Sequence, residues 1–342
     1  MPQASFFDLD DRFNKLNERD PLVGLNKLID WENFRGTLSK IRKKNRKSKA
    51  GRKPYDVVLM FKVLVLQHLY NLSDDEVEYQ IRDRYSFCRF LELSPEGNIP
   101  DAKTVWLFRE QLVSHNLIGE LFLDFDYQLD EQGYKAKKGQ IVDASFVEAP
   151  RQRNSRDENK QIKEGLIPSR FKENQNVKSQ KDTDARWTKK NNETHFGYKN
   201  HVSVDNAHKL IRNYEVTSAE VHDSQVFIEV LADNTSGDVW ADSAYRSEEH
   251  ELMLESMGYR SHVHKKGNKN KPLTDRENKA NTRKSKVRAR VEHVFGSIKN
   301  EQGDLYTRVI GLARTKVKVG MMNVVYNMRR FVTLNRISAP AS

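Results

Sequence analysis

A chain of 342 residues can bury a substantial core, and its length suits two domains, one of them carrying an insertion. Lysine and arginine number 59 against 48 acids, a formal charge of +11 that points to a polyanionic partner. The lone cysteine, Cys88, excludes an intramolecular disulfide and a cysteine-built zinc site, and the most apolar run, residues 57–66, is too short to span a bilayer.

Residues 1–50 read as mostly helical and polar, with Phe13, Leu16, Leu22, Leu25, Leu28 and Ile29 available for one apolar face. Positive charge then concentrates. From Arg35 to Lys53 there are ten Lys or Arg and no acid, among them Arg42, Lys43, Lys44, Arg52 and Lys53. Such a block is either a solvated arm or a phosphate-contacting segment, which would position nucleic acid without reading its sequence. Residues 55–71 are a strongly apolar helix and read as core. Ser73-Asp-Asp-Glu76 has the form of a capping box. Asp101-Ala-Lys-Thr104 opens a further helix with Val105, Trp106, Phe108 and Leu112 expected inward, and residues 117–129 give one more. Short helices joined by capped turns predict a small all-helical domain over residues 1–135, with room for a helix-turn-helix.

After Gly133 the period changes. Gln140-Ile-Val-Asp-Ala-Ser-Phe-Val147 reads as a strand with Asp143 inside it. Residues 150–192 lose the hydrophobic pattern and read as a polar insertion or loop. Two strands, 201–205 and 210–216, form a hairpin; a helix is expected over 224–232. Asp238-Val-Trp-Ala-Asp242 is a short strand ending in an acid. A helix over 247–257, a fifth strand over 260–264 and a basic loop over 265–283 follow. From Arg260 to Arg290 there are twelve Lys or Arg against Asp275 and Glu277, a stretch suited to lie along DNA and including Arg290.

Residues 284–300, KSKVRARVEHVFGSIKN, carry Val287, Val291, Val294 and Ile298 at helical spacing, an apolar stripe for packing on a sheet. A second stripe, about 100° round, holds Arg288, Glu292, Phe295 and Lys299. A lone Glu there would be a solvated surface residue. Two further acids, Asp143 within a strand and Asp242 at the end of another, change its meaning, because a carboxylate in an apolar strand is costly unless paired or metal-bound.

The order of these elements is that of a ribonuclease H-like α/β domain, here over residues 136–335, with a mixed five-stranded sheet and flanking helices. In that arrangement the strand centre, the strand end and the later helix converge on one sheet edge. Three carboxylates there suit Mg²⁺ or Mn²⁺, and two such ions about 3.5–4 Å apart activate a nucleophile and stabilise the leaving oxygen of a phosphodiester. The bland alternatives for other residues are a helix cap for His222-Asp223, strand-flanking positions for His195, Tyr198 and Lys199, and core for Trp240. Otherwise His195, Tyr198 and Lys199 would line a DNA channel, His222-Asp223 would approach the metals, and Tyr245 would touch a bound end.

Seven segments in order carry a family resemblance: GRKPY at 51–55, LQHLYNLSDDEVEY at 66–79, IPDAKTVWLFRE at 99–110, IVDASFVEAP at 141–150, HFGYKNHVSVD at 195–205, WADSAYR at 240–246 and RARVEHVFGSIK at 288–299. The chain resembles the DDE transposases of bacterial insertion sequences, and is most similar to the insertion-sequence-five group. The resemblance implies that Asp143, Asp242 and Glu292 are the catalytic triad, holding two Mg²⁺ or Mn²⁺ ions. It also implies that Arg288 and Lys299 are the basic pair contacting DNA phosphates near the cleaved end. Related groups carry a tyrosine three residues before that arginine, where this chain has Ser285. The expected activity is metal-dependent cleavage at terminal inverted repeats followed by strand transfer into target DNA. Double-stranded DNA is the expected partner, with a homodimer in the synaptic complex, no membrane, and a bacterial cytoplasmic, nucleoid-associated location. A nuclease that hydrolyses without transfer, and a DNA-binding protein without turnover, are the alternatives.

Overall fold

Aspartate and serine side chains stand just before four helices of the amino-terminal half and accept from the free N–H groups that open them. The computed structural model describes residues 20–42, 53–94, 97–190, 192–267, 270, 272–303 and 305–338. The chain forms two units, residues 1–128 with 327–342, and residues 129–326.

In the first unit, Asp20 caps helix α1 (Pro21–Leu28), a 3-10 turn spans Trp31–Phe34, and α2 (Arg35–Leu38) follows. Asp56 caps α3 (Val57–Leu69), Ser73 caps α4 (Asp74–Asp83), α5 covers Tyr85–Leu91, and Asp101 caps α6 (Ala102–Ser114). Trp31, Phe34, Phe61 and Phe90 make a buried aromatic cluster, with Phe34 and Phe61 ring centroids 4.8 Å apart. Lys62, which breaks the apolar run of α3, is buried to its ammonium, which reaches Glu92 at 2.7 Å. The expectation for Trp106 is corrected: it is 45% exposed. Val105, Phe108 and Leu112 form the buried stripe of α6 at spacings of three and four, and the neighbouring position rotates outward. Phe13, Leu16 and the block Lys43, Lys44 and Arg52 lie outside the described residues.

Helix α7 (Ile118–Glu131) ends in the second unit, and the sheet begins at β1 (Gln140–Glu148). Antiparallel to β1 runs β3 (Glu193–Asp205), and along the other edge of β3 lie β4 (Ile211–Ser218) and the short β2 (Arg186–Lys190). On the opposite side β1 pairs in parallel with β5 (Asp238–Trp240), which pairs in parallel with β6 (Arg260–Ser261). The sheet is therefore mixed and six-stranded. Five strands match the expected succession, and β2 is the addition supplied by the insertion. Gly139, at φ +77°, opens β1 where a Cβ would lie 2.4 Å from the Asp238 carbonyl oxygen, so only glycine lets the two strands start together.

Several expectations need correction. Of the two readings of the polar stretch, an insertion with its own elements is what is found: α8 (Arg156–Lys163), α9 (Ser169–Glu173) and α10 (Gln175–Ser179) precede β2. A capping box between Ser155 and Glu158 starts α8, while Ile162 and Phe171 are buried. Asp182, itself buried, accepts from the Tyr198 hydroxyl and from the backbone N–H of Asp184, Ala185 and Gly311. So few apolar anchors leave no periodicity to read. The helix expected over 224–232 is only a 3-10 turn at Asp223–Val226, since one short segment rich in β-branched residues does not pay for helix nucleation. The fifth expected strand is two residues long, although His262 and His264 N–H groups continue to bond β5 and its extension at Val239 and Ala241.

Helix α11 (Glu248–Ser256) is capped by Ser247. The supposed basic loop ends early, because α12 (Asp275–Glu301) starts at a capping box between Thr274 and Glu277. Its Val291, Val294 and Ile298 are fully buried, and the helix packs on β1 and β5. Helix α13 (Leu312–Ser338) closes the chain with Val317, Met321, Val324, Met328 and Phe331 buried, its first part in the second unit and its last residues in the first.

Candidate active site

The parallel pairing of β1 with β5 brings two acids level. Gln140 lies opposite Val239 and Ile141 opposite Trp240, so two residues further along each strand direction come Asp143 and Asp242. Adjacent strands are about 4.8 Å apart, close enough for two carboxylates to share one cation. Asp143 accepts from the Ala144 N–H at 2.8 Å, and Asp242 caps the 3-10 turn Ser243–Tyr245 by accepting from the Ala244 N–H.

That shared cation is an arginine. Nη1 of Arg288, on α12, lies 3.5 Å from Oδ2 of Asp143 and 3.8 Å from Oδ2 of Asp242. All three side chains are mostly covered, at 17% exposed for Asp143, 30% for Asp242 and 23% for Arg288. Burial pushes the Asp143 carboxyl up to about 6, with Arg288 pulling the other way and Asp242 adding to the rise. Glu292 follows Arg288 by one turn of α12 on the same face, exposed, and Lys299, also exposed, is two turns further.

Two buried polar atoms beside this pair have no partner among the described residues: Nε of Arg288 and the hydroxyl of Tyr245. The two carboxylates themselves offer oxygen ligands of the kind a hard divalent cation takes. Among the described residues, however, no three His, Cys, Asp or Glu side chains converge on a common metal position. The residues present fit a divalent ion through Asp143 and Asp242, with Glu292 on the adjoining helix face.

Residues 134–328, more than half of the chain, match the Transposase DDE domain family. The chain belongs to that family. A second match, to Transposase domain (DUF772), covers residues 10–111 of this DNA transposase. The transposase is also similar to a solved piggyBac transposase synaptic complex with hairpin DNA, at 11% identity and a TM-score of 0.46, covering 94% of this chain and 83% of that one. As a family, DDE transposases cut and join DNA strands with divalent metal ions. Among the described residues no helix is long and apolar enough to cross a membrane.

The transposase uses several expected DNA contacts internally. Tyr245 is 1% exposed and packs on Phe227 at 5.1 Å within the cluster that holds Val142 and Val239, so it is core rather than a surface for a DNA end. Lys199 is buried and donates to Asp223 at 2.8 Å and to the Val221 carbonyl, which removes it from any channel wall. Asp223 therefore serves as an ion-pair partner, and the cap of its turn is His222. His195 bonds Glu148 and stacks on Phe146 at 4.0 Å, and Tyr198 is buried on Asp182. Arg290 donates to both the carbonyl and side-chain oxygen of Asn206, anchoring α12 to the turn after β3. Arg42 donates to the Tyr55 carbonyl, and Lys53 is exposed. The Lys199–Asp223 pair, 24 residues apart, has no local signal; only the pairing of β3 with its neighbours brings it together.

Proposed function

We propose that this protein is the transposase of an insertion sequence of the insertion-sequence-five group, cutting DNA at the element's terminal inverted repeats and joining the freed ends to target DNA. One observation carries the reading: Asp143 and Asp242 stand level on parallel strands against the helix that bears Glu292, within a Transposase DDE domain. Asp143, Asp242 and Glu292 are the catalytic set of a ribonuclease H-like domain and would together hold two divalent ions, Mg²⁺ or Mn²⁺, once Glu292 turns in from its exposed helix face. Bound there, such ions supply activation of the attacking hydroxyl and stabilisation of the leaving oxygen.

The chain's own residues supply placement. Backbone N–H groups of Ala144 and Ala244 fix the two aspartates at the sheet edge, so the oxygens do not have to be ordered when substrate arrives. Arg288 and Lys299, on one face of α12, take DNA phosphates near the cleaved end. The helical first unit grips the phosphate backbone of the repeat through Lys53 and the block Lys43, Lys44 and Arg52. Two ends must meet, so the working complex on DNA is a homodimer.

The test uses a labelled duplex carrying the element's own ends, purified protein, and Mg²⁺ or Mn²⁺. End cleavage followed by joining into a second DNA is expected, with loss of about a thousandfold or more in Asp143→Asn and in EDTA. Cleavage without joining would indicate a nuclease. Binding with no metal-dependent cleavage would refute catalysis.

A further inference from the structure

The position of Arg288 sets two roles in conflict. As a phosphate contact it should point away from the acids, yet its Nη1 sits within 4 Å of both, at 3.5 Å from Asp143 and 3.8 Å from Asp242. Its Nε is buried and without a partner among the described residues, so the guanidinium is held by these carboxylates through one nitrogen and is not locked by a full set of hydrogen bonds. A side chain held in this way is poised to exchange partners. A divalent cation drawn to the same two carboxylates would compete for the same oxygens and meet the guanidinium as a like charge.

We propose that Arg288 is a placeholder cation: it neutralises Asp143 and Asp242 in the free protein and transfers to a DNA phosphate when a divalent ion takes the carboxylates. The inference rests on the metal-binding reading of these acids. It assigns Arg288 a positioning role that a plain phosphate contact lacks. Metal and DNA then favour the same displaced arginine, so each raises the other's affinity by the same factor. Long arginine side chains reach both positions without moving the helix, because α12 is fixed by buried Val291, Val294 and Ile298 and by the Arg290–Asn206 bonds.

The experiment titrates Mn²⁺ into the full chain, with and without a short random-sequence duplex, and reads bound metal by electron paramagnetic resonance. Wild type is compared with Arg288→Gln and Arg288→Lys, each checked for an unchanged thermal transition. Without DNA, Arg288→Gln should bind Mn²⁺ about tenfold more tightly than wild type, and Arg288→Lys, which keeps a cation, should stay within about twofold of it. Duplex should tighten Mn²⁺ binding in wild type and leave Arg288→Gln unchanged. Equal or weaker metal binding by Arg288→Gln would overturn the placeholder role while leaving the metal site standing. No Mn²⁺ binding by any of the three, with or without duplex, would overturn the metal-binding reading itself. If Arg288→Gln failed to fold, the presence or absence of duplex-enhanced Mn²⁺ binding in wild type, set against Arg288→Lys, would still decide the coupling.

Discussion

Buried polar side chains in the sheet carry costs that can be read out by pH. His201, 1% exposed on β3, bonds the Thr217 hydroxyl through Nε2 at 2.9 Å, while its Nδ1 has no partner among the described residues. Burial pushes its pKa down to about 4, Asp223 opposes the change, and Lys199 and Lys190 add to it. A base whose folded pKa lies below its unfolded value of 6.5 stays neutral in the fold, while the unfolded chain takes up a proton. Its stability contribution is therefore whole above pH 6.5 and is lost progressively as pH falls from 6.5 towards 4. Urea unfolding at several pH values should show this acid slope in wild type and a much flatter one in His201→Gln, which can still bond Thr217. An equal slope in both would show that His201 is not the group that titrates. None of this was visible in the segment HFGYKNHVSVD, where a histidine among apolar neighbours reads like any strand residue.

Elements were legible where periodicity ran long. The stripe of Val287, Val291, Val294 and Ile298 located α12 on the sheet, but not its start. That start lies in chemistry rather than pattern: Thr274 accepts from the Glu277 N–H, and Glu277 accepts from the Thr274 N–H at 3.0 Å and from Lys265 at 3.0 Å. These bonds, led by the Thr274 backbone, hold the Glu277 carboxyl down to about 2. Thr274→Ala should cost about 1 kcal/mol, confined to the first turn, and amide exchange should speed up over residues 275–279 while the buried half of α12 stays protected. Acceleration throughout the helix would mean that the cap supports more than its own turn. The insertion was illegible for the opposite reason, since Ile162, Phe171 and Asp182 fix it from isolated positions.

At the level of the molecule, the charge balance of +11 predicts binding to any duplex that weakens with salt. Filter or anisotropy titrations should give a log–log salt slope of about −0.9 per phosphate neutralised, and Lys299→Ala should reduce that slope by about one contact. An unchanged slope would remove Lys299 from the phosphate set. That Asp143 and Asp242 stand out in the sequence follows from the cost of an acid in an apolar strand; that one arginine spans both could not be read there, since it depends on the register of β1 against β5 and on the rotation of α12.

The division of α13 between the two units has a consequence for the order of synthesis. The first unit consists of residues 1–128 together with 327–342, and Phe331 packs on Phe125 with ring centroids 6.2 Å apart. A ribosome that has finished the first 128 residues has therefore not made all of that unit's core. The part translated first is the part completed last, and a nascent chain stalled before residue 327 leaves an apolar site on it open to chaperones.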